Sequence, residues 1–236
     1  MAELIRELGV EEIRSNLERI HTELATAAAR ARSLHPGGAE GAVQVLAATK
    51  YVASVDLPKL AAAGVTLVGE NRAQDLQQKV AEHGESFDWH FIGQLQSRRV
   101  RAIVPHVRLI HSVASESALR ELERHRDLAH PDLRILVQVN LAGESAKAGV
   151  APADLDAFIA RAPLPVAGLM AMPPLVDDPE ASRPWFAALR GLARERGLEV
   201  LSMGTSQDYR VAAEEGATIV RIGTSLYHRP TVADRE

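Results

Sequence analysis

Residues 43–93 read VQVLAATKYVASVDLPKLAAAGVTLVGENRAQDLQQKVAEHGESFDWHFIG, and they set the pattern of the whole chain. Three short apolar runs, Val43–Thr49, Thr66–Gly69 and Trp89–Gly93, alternate with stretches near 56–63 and 71–83 whose apolar residues recur at helical spacing. Short runs bounded by turn residues and separated by helix-like segments are the pattern of βα units around a parallel sheet. Five more runs follow, Leu109–Val113, Leu133–Asn140, Val166–Met170, Glu199–Met203 and Thr218–Ile222, with helical stretches near 97–105, 115–129, 152–162, 180–196 and 208–216. Right-handed βα units continued in one direction bring the last strand beside the first. The expected fold is therefore α/β, a (β/α)8 TIM-type barrel, with an open doubly wound sheet as the competing arrangement.

Upstream, residues 10–33 place Ile13, Leu17, Ile20, Leu24, Ala27 or Ala28, and Ala31 at steps of three and four, which predicts an amphipathic helix ended by Pro36-Gly37-Gly38. No helix is expected after the eighth strand, because only nine residues follow Tyr227. The N-terminal helix either fills that gap or serves a dimer contact, so a monomer or a weak homodimer is expected. No low-complexity segment divides the chain, and 1–236 reads as a single domain.

The chain has 236 residues, 46% of them hydrophobic, which suffices for one sizeable core. Its formal net charge of -4 is spread along the chain, so nucleic-acid or anionic-membrane binding is not expected. The lack of cysteine excludes a disulfide framework, a thiolate nucleophile and any cysteine-held metal. The opening MAELIRELGVEEIRSNLERI lacks the apolar core of a signal peptide, and no later run could span a bilayer, so a cytoplasmic location is expected.

Active sites of such barrels are built at the carboxyl ends of the strands. Lys50 closes LAATK, and an amine desolvated by that run would present the neutral form that attacks a carbonyl; a lysine that merely snorkels out of a strand end is the alternative. Two GTS tripeptides, 204–206 and 223–225, follow the seventh and eighth strands, where glycine admits an anion to backbone N–H groups and hydroxyls add donors. Ordinary turn chemistry, with Ser206 or Asp208 capping the next helix, explains either loop alone. Arg221 lies two residues before Gly223, on the same side of a strand, and an inward guanidinium needs an acceptor: a ligand's ring nitrogen, a carboxylate, or Glu70 in a structural ion pair. His90 and His111 have no metal-ligand partner at a suitable spacing and read as hydrogen-bonded core residues; Met170, Met172 and Met203 read as core or pocket wall; Arg98, Arg99 and Arg101 read as a solvated helix face, with a second anion site after the third strand as the alternative. No GxGxxG after a strand, Walker loop, GxSxG or HExxH occurs.

Along nearly its whole length the sequence resembles the YggS/PROSC family of pyridoxal-phosphate-binding, or PLP homeostasis, proteins. The segments that carry the resemblance are LAATK at 46–50, VGENRAQD at 68–75, WHFIGQLQSRRV at 89–100, HSV at 111–113, VQVNLAGESAKAGV at 137–150, GLMAMPP at 168–174, LSMGTSQDY at 201–209 and EEGATIVRIGTSLY at 214–227. The resemblance implies a fold-type III barrel like the alanine racemase N-terminal domain, with pyridoxal 5'-phosphate held as an aldimine on Lys50. It further implies Arg221 at the pyridine nitrogen, Ser206, Gly223 and Thr224 at the phosphate, and Asn71 and Met203 lining the same pocket. The sequence departs from the family's common SNK at Ser97-Arg98-Arg99, from LSMGMS at Thr205, and from IFG in its LYHRP ending.

Arg221 at the ring nitrogen would favour the unprotonated ring and weaken carbanion stabilisation, and the racemases and decarboxylases of this fold add a C-terminal β-domain, whereas this sequence stops at Glu236. The expected function is therefore PLP homeostasis, the storage, buffering or delivery of the cofactor to PLP-requiring apoenzymes, with no catalytic residue and no metal assigned. A weak or narrow PLP-dependent amino-acid racemase is the alternative within the cofactor's chemistry. A Schiff-base aldolase acting on a phosphorylated sugar is the alternative outside it. If Lys50 were not the anchor, Lys147 and Lys59 would be the next lysines to consider.

Overall fold

Strand boundaries follow the runs of buried residues. The computed structural model describes residues 4–5, 7–34, 41–143 and 148–228. Its strands are β1 (Gln44–Ala48), β2 (Leu67–Glu70), β3 (Asp88–Phe91), β4 (Leu109–Val113), β5 (Arg134–Gln138), β6 (Val166–Met170), β7 (Val200–Thr205) and β8 (Ile219–Ile222). All neighbouring pairs are parallel, and β8 pairs with β1, Leu46 lying opposite Arg221, so the sheet closes on itself. That pairing excludes the open doubly wound sheet. Two strands match the expected limits, β4 and β6, and the others shift by one or two residues at an end.

The helices are α1 (Val10–Leu34), α2 (Leu57–Ala62), α3 (Ala73–His83), α4 (Val100–Ile103), α5 (Glu116–Arg124), α6 (Leu155–Ile159), α7 (Arg183–Glu195), α8 (Tyr209–Glu214) and α9 (Thr224–Tyr227). Several expected helical stretches are a short α-helix joined to a 3-10 turn, as at Ser97–Arg99 before α4 and Arg126–Leu128 after α5. One expectation is corrected: a helix does follow β8. Only four residues long, α9 is below the length at which periodicity can be read, yet it buries Leu226 and Tyr227.

Ile13, Leu17, Ile20, Leu24, Ala27 and Ala31 are all buried, so the apolar stripe of α1 is spent on this chain's own barrel. It packs against α8 and α9. Asn16 Nδ2 donates to the carbonyls of Leu226 and His228, both at 3.2 Å, and Tyr209 Oη donates to Glu23, so polar contacts lock the helix in place. The expected breaker Pro36-Gly37-Gly38 lies outside the described residues.

Two apolar clusters hold the barrel. The larger fills the space between sheet and helices, and the smaller, formed by Leu46, Leu67, Leu109, Leu136, Met170 and Ile219, lies inside the sheet. Alternate residues of β1, β2, β5, β6 and β8 supply the two clusters, as the period of a strand requires. Among the described residues no helix is long and apolar enough to cross a membrane.

Candidate cofactor-binding site

Lys50 sits just beyond β1, and buried side chains on two neighbouring elements hold the backbone that leads to it. Tyr227 Oη donates to the Ala48 carbonyl at 3.1 Å, and Lys79 Nζ donates to the Thr49 carbonyl at 2.8 Å. Lys79 is itself paired with Glu70 Oε1, which also accepts from Thr49 Oγ1 at 2.7 Å, while Glu70 Oε2 accepts from Asn71 N at 3.2 Å. Burial, then the nearby Glu70 charge, raises the Tyr227 hydroxyl's pKa, which keeps it a neutral donor. The Lys50 side chain is exposed, with Nζ 4.6 Å from the centre of the Tyr51 ring. The desolvation expected from LAATK is therefore absent, because the residue has left the strand and stands in the turn after Thr49. Lys59 pairs with Asp56 at 2.8 Å, and Lys147 lies outside the described residues.

Sequence reasoning missed Lys79. The signal was present: Ala73, Leu76 and Lys79 fall at steps of three on α3 and are the buried residues of that helix. A lysine on an apolar stripe needs a buried acceptor.

Arg221 projects from β8 into the barrel and is 6% exposed. Its Nη1 donates to the carbonyl and the Oγ of Ser202, at 2.8 and 2.6 Å, and Nη2 to the Ala171 carbonyl at 3.0 Å. Among the described residues Nε makes no hydrogen bond, and the guanidinium has no ion pair. The alternative of a pair with Glu70 does not occur, since Glu70 is held by Lys79 and Thr49. Burial lowers the pKa of Arg221 to about 10, against a smaller raising effect from Asp208. It stays a cation near neutrality, held in direct contact by dipoles and only at a distance by the Asp208 charge.

The two GTS loops meet. Ser206 Oγ accepts from the N–H groups of Gly223 at 3.1 Å and Ser225 at 3.3 Å, and Ser225 Oγ donates to the Ser206 carbonyl at 3.2 Å. Gly204 adopts φ +89, and a Cβ there would stand 2.6 Å from that of Ala212, so only glycine suits the turn. At Gly223 a Cβ would meet nothing nearer than Ala48 Cβ at 4.0 Å, which leaves open space above that backbone. Thr224 is exposed, and its N–H and hydroxyl make no hydrogen bond among the described residues. Thr205 is not a pocket donor: its N–H and Oγ1 both go to Asp208 Oδ1, at 2.7 and 3.1 Å. Asp208 thereby closes the turn before α8, and neither it nor Ser206 supplies the helix's expected side-chain cap.

Asn71 follows β2, and its Oδ1 is buried with no hydrogen-bond partner among the described residues. A Cβ on Gly93 would lie 2.0 Å from the Asn71 carbonyl oxygen, so that glycine lets the ends of β2 and β3 close together. Met203 has no exposed surface and belongs to the outer apolar cluster, a wall rather than an open pocket group. Arg98, Arg99 and Arg101 are exposed, as expected of a solvated face.

A cavity of about 1410 Å³ opens at the opposite end of the barrel and is lined by none of the candidate residues. Size is the weaker guide here, because chemistry in these barrels sits at the carboxyl ends of the strands.

A family model described as alanine racemase, N-terminal domain, matches residues 11–230. The sequence is 38% identical over 202 residues to a protein of Aquifex aeolicus described as pyridoxal phosphate homeostasis protein, covering 81% of this chain and 89% of that one. A protein of Pseudomonas aeruginosa with the same description is 38% identical over 220 residues, covering 89% and 96%. Among solved structures, PipY of Synechococcus elongatus PCC7942 with PLP bound is 32% identical, with a TM-score of 0.71 over 86% of this chain and all of that one. An alanine racemase of Clostridium difficile 630 is 13% identical with a TM-score of 0.63, a likeness of fold alone that spans 58% of that chain.

Proposed function

Because this chain belongs to the alanine racemase N-terminal domain family, and with it to the pyridoxal phosphate homeostasis proteins, we propose that it binds pyridoxal 5'-phosphate through Lys50 and holds it for storage, buffering or delivery to PLP-requiring apoenzymes. The observation that carries this reading is Arg221, a buried cation that among the described residues makes no ion pair and leaves Nε without a hydrogen bond. A neutral aromatic nitrogen with a lone pair is the acceptor such a donor lacks.

Three further features fit the same group. Among the described residues Asn71 Oδ1 is a buried acceptor without a donor, Gly223 has open space above its backbone, and the Thr224 donors, which suit a phosphate, make no hydrogen bond. Lys50 at the end of β1 supplies the amine that captures an aldehyde. When bound, PLP supplies that aldehyde and an electron-withdrawing ring. Arg221 at the ring nitrogen favours its unprotonated form, which weakens the electron sink on which amino-acid turnover depends. Carriage of the cofactor, rather than racemisation, is the function these residues serve best.

Borohydride treatment of PLP-loaded protein, followed by mass spectrometry, tests the reading. A pyridoxyl group is expected on the Lys50 peptide; Lys50→Ala should lose it while keeping weaker, noncovalent binding through the loops after β7 and β8. Fixation at another lysine, or none, overturns the assignment. Rapid exchange of amino-acid α-hydrogens with solvent deuterium would favour an enzyme over a carrier.

A further inference from the structure

We propose that His111, backed by His90, is a positioning residue for Arg221, holding the guanidinium aimed at the mouth of the barrel through Ser202; this deepens, and rests on, the PLP reading above. The four side chains form one hydrogen-bonded row across the barrel interior. His90 stands on β3 and His111 on β4, while Ser202 on β7 and Arg221 on β8 face them from the far wall. His90 Nδ1 lies 3.0 Å from His111 Nε2, His111 Nδ1 lies 2.7 Å from Ser202 Oγ, and Ser202 Oγ lies 2.6 Å from Arg221 Nη1.

Proton bookkeeping gives the row a direction. Of the acceptors that hold Arg221, only Ser202 Oγ carries a hydrogen that can rotate, and a hydroxyl hydrogen turned toward the guanidinium would repel it. His111 Nδ1 takes that hydrogen, so the oxygen's lone pairs face Arg221. His111 is fully buried, so its Nε2–H then needs an acceptor, which His90 Nδ1 supplies. Burial, then the charges of His90 and Arg221, lowers the His111 pKa well below its ordinary value, so the ring stays neutral and keeps an accepting nitrogen. Both histidines are thus assigned the Nε2–H tautomer, and every donor in the row points away from Arg221. Aligned dipoles add to the compensation of a guanidinium that no carboxylate contacts among the described residues.

The test uses His111→Phe, Ser202→Ala and the more conservative His111→Gln. Ser202→Ala removes a single oxygen, so it keeps the proposal testable if a ring replacement fails to fold. With PLP labelled with nitrogen-15 in its ring, His111→Phe and Ser202→Ala should move the ring-nitrogen resonance in the same direction and weaken PLP binding about 3- to 10-fold, the effect of one hydrogen bond. Their double variant should do little more than the larger single change, and His111→Gln should recover part of the effect. Folded variants with unchanged ring resonance and affinity overturn the proposal. The imidazole nitrogen spectrum of the cofactor-free protein gives a separate readout: His111 should be neutral with an unprotonated Nδ1, and Arg221→Met should shift that nitrogen. A protonated Nδ1 overturns the row even where the wild-type protein gives the Lys50 adduct. If the wild type takes up no PLP, the cofactor reading falls, and this proposal falls with it.

Discussion

Lys79 and Arg221 are both cations buried in the barrel, and they are buried on opposite terms. Lys79 meets Glu70 directly and spends a second bond on the Thr49 carbonyl. Arg221 hydrogen-bonds to two carbonyls and a hydroxyl and, among the described residues, to no acid. An ion pair closed on itself has little to offer a ligand, and Lys79 accordingly fixes the backbone that presents Lys50. A guanidinium contacted by dipoles and by no acid among the described residues keeps an affinity for an acceptor from outside. The contrast separates scaffold from site.

Breaking the closed pair should give the largest effect. Lys79→Met strands Glu70 without its cation and should lower the unfolding free energy by about 3–5 kcal/mol in denaturant titrations. The double change Lys79→Met with Glu70→Leu should recover much of that loss. A cost below about 1 kcal/mol for Lys79→Met would place the pair with solvent-screened bridges and remove one side of the comparison.

Acid sharpens the other side. Burial first, then the charges of Arg134 and Arg108, lower the pKa of His90 to about 3. The unfolded chain takes up this proton near the ordinary value of 6.5 and the folded chain does not. Its contribution is therefore complete above that value and is lost as pH falls through about 3. Between about pH 7 and about pH 4.5 the wild type should lose about 3 kcal/mol more stability than His90→Gln. Parallel pH profiles would mean that His90 is not held neutral beneath the row.

A smaller folding effect should come from Gly223. Its open space predicts that Gly223→Ala changes unfolding by about 1 kcal/mol or less, while the new methyl intrudes where the phosphate is proposed and weakens PLP binding about tenfold. Equal affinity in the folded variant would move the phosphate elsewhere.

The alternation of short apolar runs with helical stretches was enough to read the barrel, because strand and helix periods differ and repeat eight times. It was not enough to read α9, where four residues carry no period, or the 3-10 turns, which share the helical spacing. At the site, Lys50, Ser206, Arg221 and Gly223 could be located from strand ends. Their hydrogen-bond partners could not: Glu70 looked available to Arg221 until α3 delivered Lys79 to it. Lys50 looked desolvated because LAATK is apolar, but one turn residue carries its side chain into solvent. His90 and His111 were legible as buried histidines, whereas their alignment with Ser202 depends on which strands face each other across the closed sheet. Family resemblance named the cofactor, and the geometry supplies the reason a cation without an acid would receive it.

Denaturant unfolding of the wild type and Arg221→Met, each with and without saturating PLP, tests the central claim most directly. Without cofactor the variant should be the more stable by about 1–2 kcal/mol, since an apolar side chain of similar length replaces an unpaired buried charge. With PLP at about a hundred times its dissociation constant the wild type should gain about 2.7 kcal/mol and the variant much less, so that the order reverses. A wild type that is already the more stable without PLP, or an equal gain in both proteins, would contradict the claim that Arg221 is held in reserve for the cofactor.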